Sequence, residues 1–226
     1  MTRANIWRDP GDSPRLVYSQ TGEEGVLEAL FANIGETNRY LIDIGAGDGV
    51  KLSNTRLFLE RGWRGARFDV APSGDVHAAR ITAENVCDVL AERNVPGEPD
   101  LLSLDIDGSD WWVLRAMLRG GYCPRVICCE INSTLPAEPP VTIPYNPMHA
   151  FDETAYYGAS LGAYRRLCEA HGYRLVHVRF ALNAFFVPSE LIPPDAVIEW
   201  EFTPVQCWPV DPKGRPWHLL GDEEYV

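Results

Sequence analysis

The feature that most constrains the fold is a short apolar run that passes directly into a glycine-rich turn. Residues 40–44 read Tyr-Leu-Ile-Asp-Ile, and residues 45–49 read Gly-Ala-Gly-Asp-Gly. Glycine in such a turn permits positive φ and lets the backbone approach a ligand closely. In open α/β sheets, ligands bind at turns of this kind, beyond the carboxyl ends of the strands. The segment therefore predicts a buried strand that ends at a ligand-binding turn.

Short apolar runs alternate with stretches of helical periodicity along the rest of the chain. Further strands are expected over residues 66–69, 76–81, 101–105, 125–130, 173–180 and 183–187. Helices are expected over residues 25–34, 53–61, 83–93, 110–118 and 160–171, with Asp110 as one N-cap and Gly172 after the last helix. This alternation predicts an α/β fold with a mostly parallel sheet and helices on both faces. The last two strands predict an antiparallel edge strand.

A chain of 226 residues is long enough for one large domain. We divide it into an N-terminal lid and helix (1–38), a core (39–188) and a C-terminal extension rich in proline and tryptophan (188–226). Residues 131–158 of the core form a proline-rich loop that is too long for a simple connection, so we expect it to contact the substrate. The extension is expected either to wrap the surface or to meet a partner.

The charge balance bears on the partners of the chain. A formal net charge of −12 disfavours nucleic acid and anionic membranes, because both are bound through Lys and Arg contacts with phosphate. No run approaches the length of a membrane span, and the N-terminus lacks the apolar region of a secretory signal. Six cysteines include no C-x-x-C pair, so we expect reduced cysteines in a cytoplasmic protein rather than a zinc site.

The spacing and charge of the glycine turn indicate its ligand. A phosphate-binding turn needs G-x-G-x-x-G and an immediate helix, whereas this turn has G-x-G-x-G. Asp43 and Asp48 flank it and would repel a pyrophosphate, whereas they would attract the sulfonium and α-amino group of S-adenosylmethionine (SAM). Asp69 stands where a carboxylate would hold the ribose hydroxyls of either SAM or NAD. The turn thus favours SAM, and the alternative is a tight turn in a domain of another function.

Carboxylates also follow the fourth and fifth expected strands. Asp105 and Asp107 close the fourth, and Glu130 and Asn132 close the fifth. Because parallel strands end at one edge of the sheet, these groups should converge beside the ligand. Such oxygens suit Mg²⁺, which would hold a substrate diol and lower the pKa of its hydroxyl groups. Alternatively, one of the carboxylates acts as a general base. The structural alternative is helix capping by Asp110 and backbone hydrogen bonds to Asp105.

Several segments together resemble the FkbM-like class I SAM-dependent methyltransferases, which modify sugars and natural products. The segments are residues 19–25 (SQTGEEG), 43–49 (DIGAGDG), 53–55 (SNT), 102–108 (LSLDIDG), 156–160 (YYGAS) and 183–187 (NAFFV). The glycine motif is common to all class I methyltransferases, whereas several of the other segments are more specific. The resemblance implies a Rossmann-like fold with a mostly parallel seven-stranded sheet. Two departures are the short connection 69–77, where a helix is usual, and the tail after Pro188, which matches nothing.

The resemblance also implies which residues form the site. Those expected to contact SAM are Gln20, Glu23, Asp43, Gly45, Gly47, Asp48, Asn54, Asp69, Thr82, Ala83 and Asp105. Within this set Asp69 would hold the ribose, Thr82 and Ala83 would lie near adenine, and Gln20 and Glu23 would belong to a lid. Related sugar methyltransferases bind Mg²⁺ through strand-end carboxylates, which makes Asp105, Asp107 and Glu130 the expected metal ligands.

These features predict an enzyme that transfers the methyl group of SAM in line to a hydroxyl of a small sugar or natural product. Asp105, alone or through Mg²⁺, is expected to orient or deprotonate that hydroxyl, and His149 is a second candidate base unless it is only a solvated loop residue. Asn132, Tyr156 and Tyr157 are the expected acceptor contacts. A non-catalytic SAM- or nucleoside-binding protein and an NAD-linked enzyme stay open as alternatives, as does a homodimer.

Overall fold

The chain folds around one sheet of seven strands. A computed structural model describes residues 9–12, 15–205 and 211–226. Its strands are β1 (Tyr40–Ile44), β2 (Arg64–Asp69), β3 (His77–Ala78), β4 (Leu101–Leu104), β5 (Val126–Glu130), β6 (Val141–Thr142), β7 (Tyr173–Arg179), β8 (Asn183–Pro188) and β9 (His218–Leu219). The large sheet has the order β3-β2-β1-β4-β5-β8-β7, while β6 and β9 form a separate two-stranded sheet.

Five neighbouring strands of the large sheet, from β3 to β5, are parallel, and β8 is antiparallel to both β5 and β7. The α/β class and the mostly parallel seven-stranded sheet are therefore confirmed, and the architecture is compatible with a Rossmann-like fold. The reversed strand lies one place in from the edge rather than at the edge itself. The reason is that β8 pairs with β5 along Ile127–Glu130, which leaves β7 outermost.

Helices cover both faces of the sheet, as expected. They are α1 (Glu23–Ile34), α2 (Arg56–Glu60), α3 (Val86–Glu92), α4 (Asp110–Arg119) and α5 (Leu161–Ala170). Leu41 of β1 packs with the apolar side chains of α1 and α2, whereas Ile42 and Ile44 belong to the core formed with α3, α4 and α5. Alternate strand residues thus serve two separate apolar cores, which is why the strands are apolar almost throughout.

Several elements are shorter than their sequence patterns predict. Strand β3 has two residues instead of the six of 76–81, because it pairs only with the last two residues of β2. The Ser53 hydroxyl accepts hydrogen bonds from the backbone N–H groups of Thr55 and Arg56, which delays the start of α2. Asn85 similarly holds the backbone N–H of Thr82, so α3 begins at Val86.

The expectation that Asp110 is the N-cap of α4 is wrong. Ser109 occupies the cap position, and Asp110 is the first helical residue. The Asp110 carboxylate accepts hydrogen bonds from the backbone N–H groups of Ile106 (2.7 Å) and Gly108 (2.8 Å). The side chain therefore shapes the turn between β4 and α4.

The C-terminal extension folds back onto the proline-rich loop of its own chain. Strand β9 of the extension pairs with β6 of the loop, and the Tyr156 hydroxyl donates to the backbone carbonyl of Pro216 (2.7 Å). Over its described residues the extension thus wraps the surface, the first of the two roles considered for it. Residues 70–76, which connect β2 to β3, contain no helix.

In the described part of the chain, no helix has the length and apolarity needed to cross a bilayer. Five cysteines are free thiols, and Cys128, Cys129 and Cys168 among them are buried. Cys207 lies outside the described residues.

Two glycines of the turn after β1 should differ in their tolerance of a side chain. Both have positive φ, but a Cβ on Gly45 would lie 1.5 Å from the backbone oxygen of Asp105, whereas a Cβ on Gly47 would meet nothing within 4 Å. We expect Gly45→Ala to lower the free energy of unfolding by about 3 kcal/mol or more, because β1 and β4 must separate. Gly47→Ala should cost about 1–2 kcal/mol, the strain of a left-handed residue. Urea denaturation measures both, and equal costs would contradict the expectation.

Candidate functional site

A cavity of about 510 Å³ lies at the carboxyl ends of the parallel strands. Most of the residues predicted from the sequence line it: Gln20, Asp43, Gly45, Gly47, Asn54, Asp69, Thr82, Asp105, Asp107, Glu130 and His149. They come from the segment before α1, from the ends of β1, β2, β4 and β5, and from the proline-rich loop. The parallel strands therefore bring these groups to one edge of the sheet, as their positions in the sequence predict.

The glycine turn is locked onto the end of β2. The backbone N–H groups of Gly45 and Ala46 both donate to the carbonyl of Phe68, at 2.9 and 3.0 Å. Asp48 is exposed and accepts from the backbone N–H groups of Val50 (2.9 Å) and Lys51 (2.7 Å), which closes the outer side of the turn. Asp48 thus shapes the turn without lining the cavity.

Asp69 joins the glycine turn to the cavity. One carboxylate oxygen accepts from the Gly47 N–H (2.9 Å), and the other accepts from the Ala71 N–H (2.8 Å). Each oxygen of a carboxylate can accept a second hydrogen bond. Asp69 can therefore hold two neighbouring hydroxyls of a ligand while it keeps the turn in place.

Asp43 is a buried acid beneath the turn. It accepts a hydrogen bond from the Thr55 hydroxyl (2.6 Å). Burial raises the pKa of Asp43 to about 6, although Thr55 and Arg67 act in the opposite direction. Arg67, itself buried, donates to the Gly49 carbonyl (2.8 Å) and so pins the end of the turn.

Three carboxylates gather at the ends of β4 and β5. Side-chain oxygens of Asp105, Asp107 and Glu130 all lie within 4.8 Å of one another. Burial, followed by repulsion from neighbouring carboxylates, raises the pKa of Asp105 and of Glu130 well above the ordinary range, and burial raises that of Asp107. Asp105 and Glu130 also hydrogen-bond each other, so their carboxyl groups titrate as a pair.

Such a cluster can act in two ways. Three carboxylate oxygens at this separation fit a hard divalent cation, since Mg²⁺ takes oxygen ligands. Equally, the negative charge can be balanced by a positively charged organic ligand in the same cavity. In both cases the incoming positive charge would favour the ionised carboxylates.

His149 of the proline-rich loop also lines the cavity, next to Gly108. Its Nε2 is buried and has no hydrogen-bond partner among the described residues. Burial lowers the pKa of His149, and the positive charge of Arg215 lowers it further. The imidazole is therefore neutral at pH 7 and has a nitrogen free to accept a proton.

Six of the predicted site residues do not line the cavity: Glu23, Asp48, Ala83, Asn132, Tyr156 and Tyr157. Glu23 is buried at the start of α1, where it accepts from the Thr21 N–H (2.8 Å) and the Asn183 amide (3.1 Å). The Ala83 N–H donates to the hydroxyl of Tyr145 (3.2 Å).

The predicted acceptor contacts hold the proline-rich loop together. The amide nitrogen of Asn132 donates to the carbonyls of Ala155 and Tyr157, both at 2.8 Å, and its oxygen accepts from Thr134. The ring of Tyr156 packs on that of Trp217, with centroids 5.0 Å apart, and Tyr157 packs edge to face on Phe151. These side chains shape the loop, and Phe151 of the loop reaches the cavity.

Sequence reasoning missed several residues of the wall, among them Lys51, Arg80, Asn146 and Phe151. Arg80 donates to the backbone carbonyl of His149 (3.4 Å) and thereby joins the end of β3 to the loop. Asn146 is held by Ser109, whose hydroxyl donates to the Asn146 carbonyl (2.9 Å). No periodic pattern of the sequence indicates that these four residues lie at the cavity. Arg67, which does not line the cavity but holds the end of the glycine turn, did carry a usable signal, because a charged residue between two apolar residues of a buried strand needs a specific partner.

The buried acids predict an unusual pH dependence of stability. Folding raises the pKa of Asp43 and of Asp110 to about 6 and that of Asp105 further, so the folded chain holds more protons than the unfolded chain above about pH 4. Stability from these groups is fully present below that pH and is lost as the pH rises through the folded pKa values.

We therefore expect the ligand-free protein to lose about 1–3 kcal/mol of unfolding free energy between pH 5.5 and pH 8, relative to Asp105→Asn at the same two pH values. Urea titrations across this range measure the difference. Glu153→Gln, at an exposed position, is the matched control and should follow the wild type. Parallel curves for the wild type and Asp105→Asn would rule out the cluster as the cause.

A comparison of the sequence with protein-family models found no match, and a comparison with curated proteins found no match either.

Proposed function

We propose that this protein is a SAM-dependent methyltransferase of the FkbM-like class I type, which methylates a hydroxyl of a small acceptor. The observation that supports this most is the convergence of Asp69, the glycine turn and the carboxylate cluster on one cavity. A nucleoside that carries a positive charge complements such a wall at both ends. Its ribose would meet Asp69, and its sulfonium would lie toward the acidic cluster.

The start of α2 favours SAM over a dinucleotide. In dinucleotide-binding folds the helix opens directly after the glycine turn, so that its N-terminus faces the pyrophosphate. Here the turn ends at Gly49 and α2 begins only at Arg56. A pyrophosphate at the turn would lack the helix dipole and would also face Asp43 and Asp105. A cationic ligand would face neither problem.

The cofactor would supply an activated methyl group, and the protein would chiefly align the reacting atoms. Methyl transfer forms a bond between the acceptor oxygen and the methyl carbon as the bond from that carbon to sulfur breaks. The hydroxyl proton must then leave the acceptor oxygen. Good alignment alone can contribute about 7–11 kcal/mol to such a step.

Two groups of this chain are placed to take the proton. Asp105 lines the cavity at the end of β4, and His149 lines it from the proline-rich loop with a free Nε2. If Mg²⁺ is bound, Asp105, Asp107 and Glu130 would hold it, and the metal would lower the pKa of an acceptor hydroxyl. His149 would then take the proton, because the carboxylates would be engaged with the metal.

Ligand titration tests the cofactor. Calorimetry should detect micromolar binding of SAM and of its demethylated product, S-adenosylhomocysteine, and no binding of NAD. Asp69→Ala should weaken SAM about tenfold to a hundredfold, because it removes hydrogen bonds to a charged acceptor. Asp88→Ala, an exposed acid on α3, is the matched control and should bind SAM as the wild type does. Binding of NAD without SAM would favour an NAD-linked enzyme.

Turnover tests the chemistry. Labelled SAM and a panel of sugar and polyketide hydroxyls should identify an acceptor for the wild type. Asp105→Asn should still bind SAM, more weakly because one negative charge is lost, and at saturating SAM it should lose about 10²–10⁴-fold in turnover if Asp105 acts as the base or orients the hydroxyl. Near-normal turnover of this variant would remove Asp105 from the mechanism. Transfer to no acceptor, with SAM bound, would favour a non-catalytic binding protein.

The pH profile separates the two candidate bases. The pKa of His149 lies below its usual value near 6.5, and an imidazole must be deprotonated to accept a proton. If His149 is the base, kcat/KM should be constant at neutral pH and fall on the acid side of about pH 6.5. His149→Gln should lose activity across the whole range and show no such acidic limb. An unchanged limb in this variant would assign the titration to another group.

A further inference from the structure

The guanidinium of Arg215 connects the C-terminal extension to the loop that forms one wall of the cavity. It donates to both carboxylate oxygens of Asp211 (2.8 and 2.9 Å), to Asp152 (2.8 Å) and to the Thr154 hydroxyl (2.9 Å). Its central carbon also lies 4.0 Å from the centroid of the Tyr156 ring. One side chain of the extension therefore contacts three residues of the loop.

These three loop residues directly follow the stretch that lines the cavity. His149, Ala150 and Phe151 line the wall, and Asp152 is the next residue. The ring of Tyr156 packs near that of His149, with centroids 6.2 Å apart, and the Tyr156 carbonyl interacts with the imidazole. Arg215 thus holds the chain at the end of the cavity-lining stretch and behind His149.

The loop has little structure of its own to hold this wall. Residues 143–160 contain no helix and no strand longer than an isolated bridge at Ala159. At its near end, Asn146 is held by Ser109. At its far end Asn132 holds two backbone carbonyls and Lys213 donates to Asp152 (2.6 Å). Arg215 is the side chain of the extension that contacts Asp152, Thr154 and Tyr156 together.

The extension can act as a brace because it is itself fixed to the core. Strand β9 pairs with β6, and the ring of Tyr225 packs edge to face on buried Trp111, with centroids 6.0 Å apart. Arg115 of α4 donates to the backbone carbonyl of Glu224. The extension is thereby anchored directly after the segment that carries Arg215.

We propose that Arg215 is a positioning residue, through which the C-terminal extension holds the acceptor wall at residues 149–151 in its working place. The effect of Arg215 on turnover rests on the proposed function. Its effect on the position of the loop does not, because that effect requires no substrate. The extension is then a component of the acceptor site, although none of its described residues lines the cavity.

Arg215→Gln tests this directly. Hydrogen exchange of the amides in residues 146–157 should become faster, and modification of His149 by diethyl pyrocarbonate should rise roughly tenfold, because several charge-assisted hydrogen bonds are lost. Calorimetric affinity for SAM should stay within about twofold, because the contacts of Arg215 lie outside the strand-end turn. With an acceptor from the panel, KM for the acceptor should rise more than kcat falls. Arg174→Gln, at an exposed position of β7, is the matched control.

Arg215→Lys separates positioning from simple charge. Lysine keeps the positive charge that lowers the pKa of His149, but it cannot donate to Asp211, Asp152 and Thr154 in one fixed geometry. The lysine variant should therefore resemble Arg215→Gln in hydrogen exchange and in His149 modification. Wild-type behaviour of the lysine variant, or unchanged exchange in Arg215→Gln, would overturn the proposal. Failure of the wild type to bind SAM would refute the proposed function while these loop measurements still decide the role of Arg215.

Discussion

The geometry of the site depends on the close approach of two backbone segments, one just after β1 and the other just after β4. At Gly45 the backbone passes so near the Asp105 carbonyl that no side chain fits between them. This contact places the glycine turn, the end of β2 and the carboxylate cluster around one opening. The Phe68 carbonyl and the Asp69 carboxylate then hold the turn through backbone hydrogen bonds. Backbone hydrogen bonds therefore fix the position of the glycine turn at this side of the cavity.

The carboxylates beyond this turn destabilise the folded protein when they are ionised. Asp43, Asp105, Asp110 and Glu130 are held in surroundings that raise the pKa of each, so their charged forms are costly. Buried charge is favourable only when it is compensated. A positive charge brought into the cavity would supply that compensation, and a cluster of this kind therefore favours a site for a cation.

The two sides of the cavity are held by different kinds of contact. Strand ends and backbone hydrogen bonds form the side proposed for the cofactor, whereas the side proposed for the acceptor is a loop that side chains keep in place. Asn132 crosslinks that loop internally, and Arg215 ties it to the C-terminal extension. Mutation can replace side-chain contacts of this kind more easily than it can change the register of paired strands. A common fold can thus keep one cofactor while its acceptor wall varies.

The sequence by itself determined the strand and turn around Gly45 and the α/β class. It also determined the convergence of Asp69, Asp105, Asp107 and Glu130. The reason is that strand periodicity is a local property and that parallel strands end at the same edge of the sheet. Only the tertiary structure decided the place of β8 in the sheet, the turn-shaping role of Asp110 and the bracing of the loop. Arg215 and Asp152 lie 63 residues apart and belong to segments without periodicity. No local pattern encodes such a pairing, since it arises only when two irregular segments pack against the same surface.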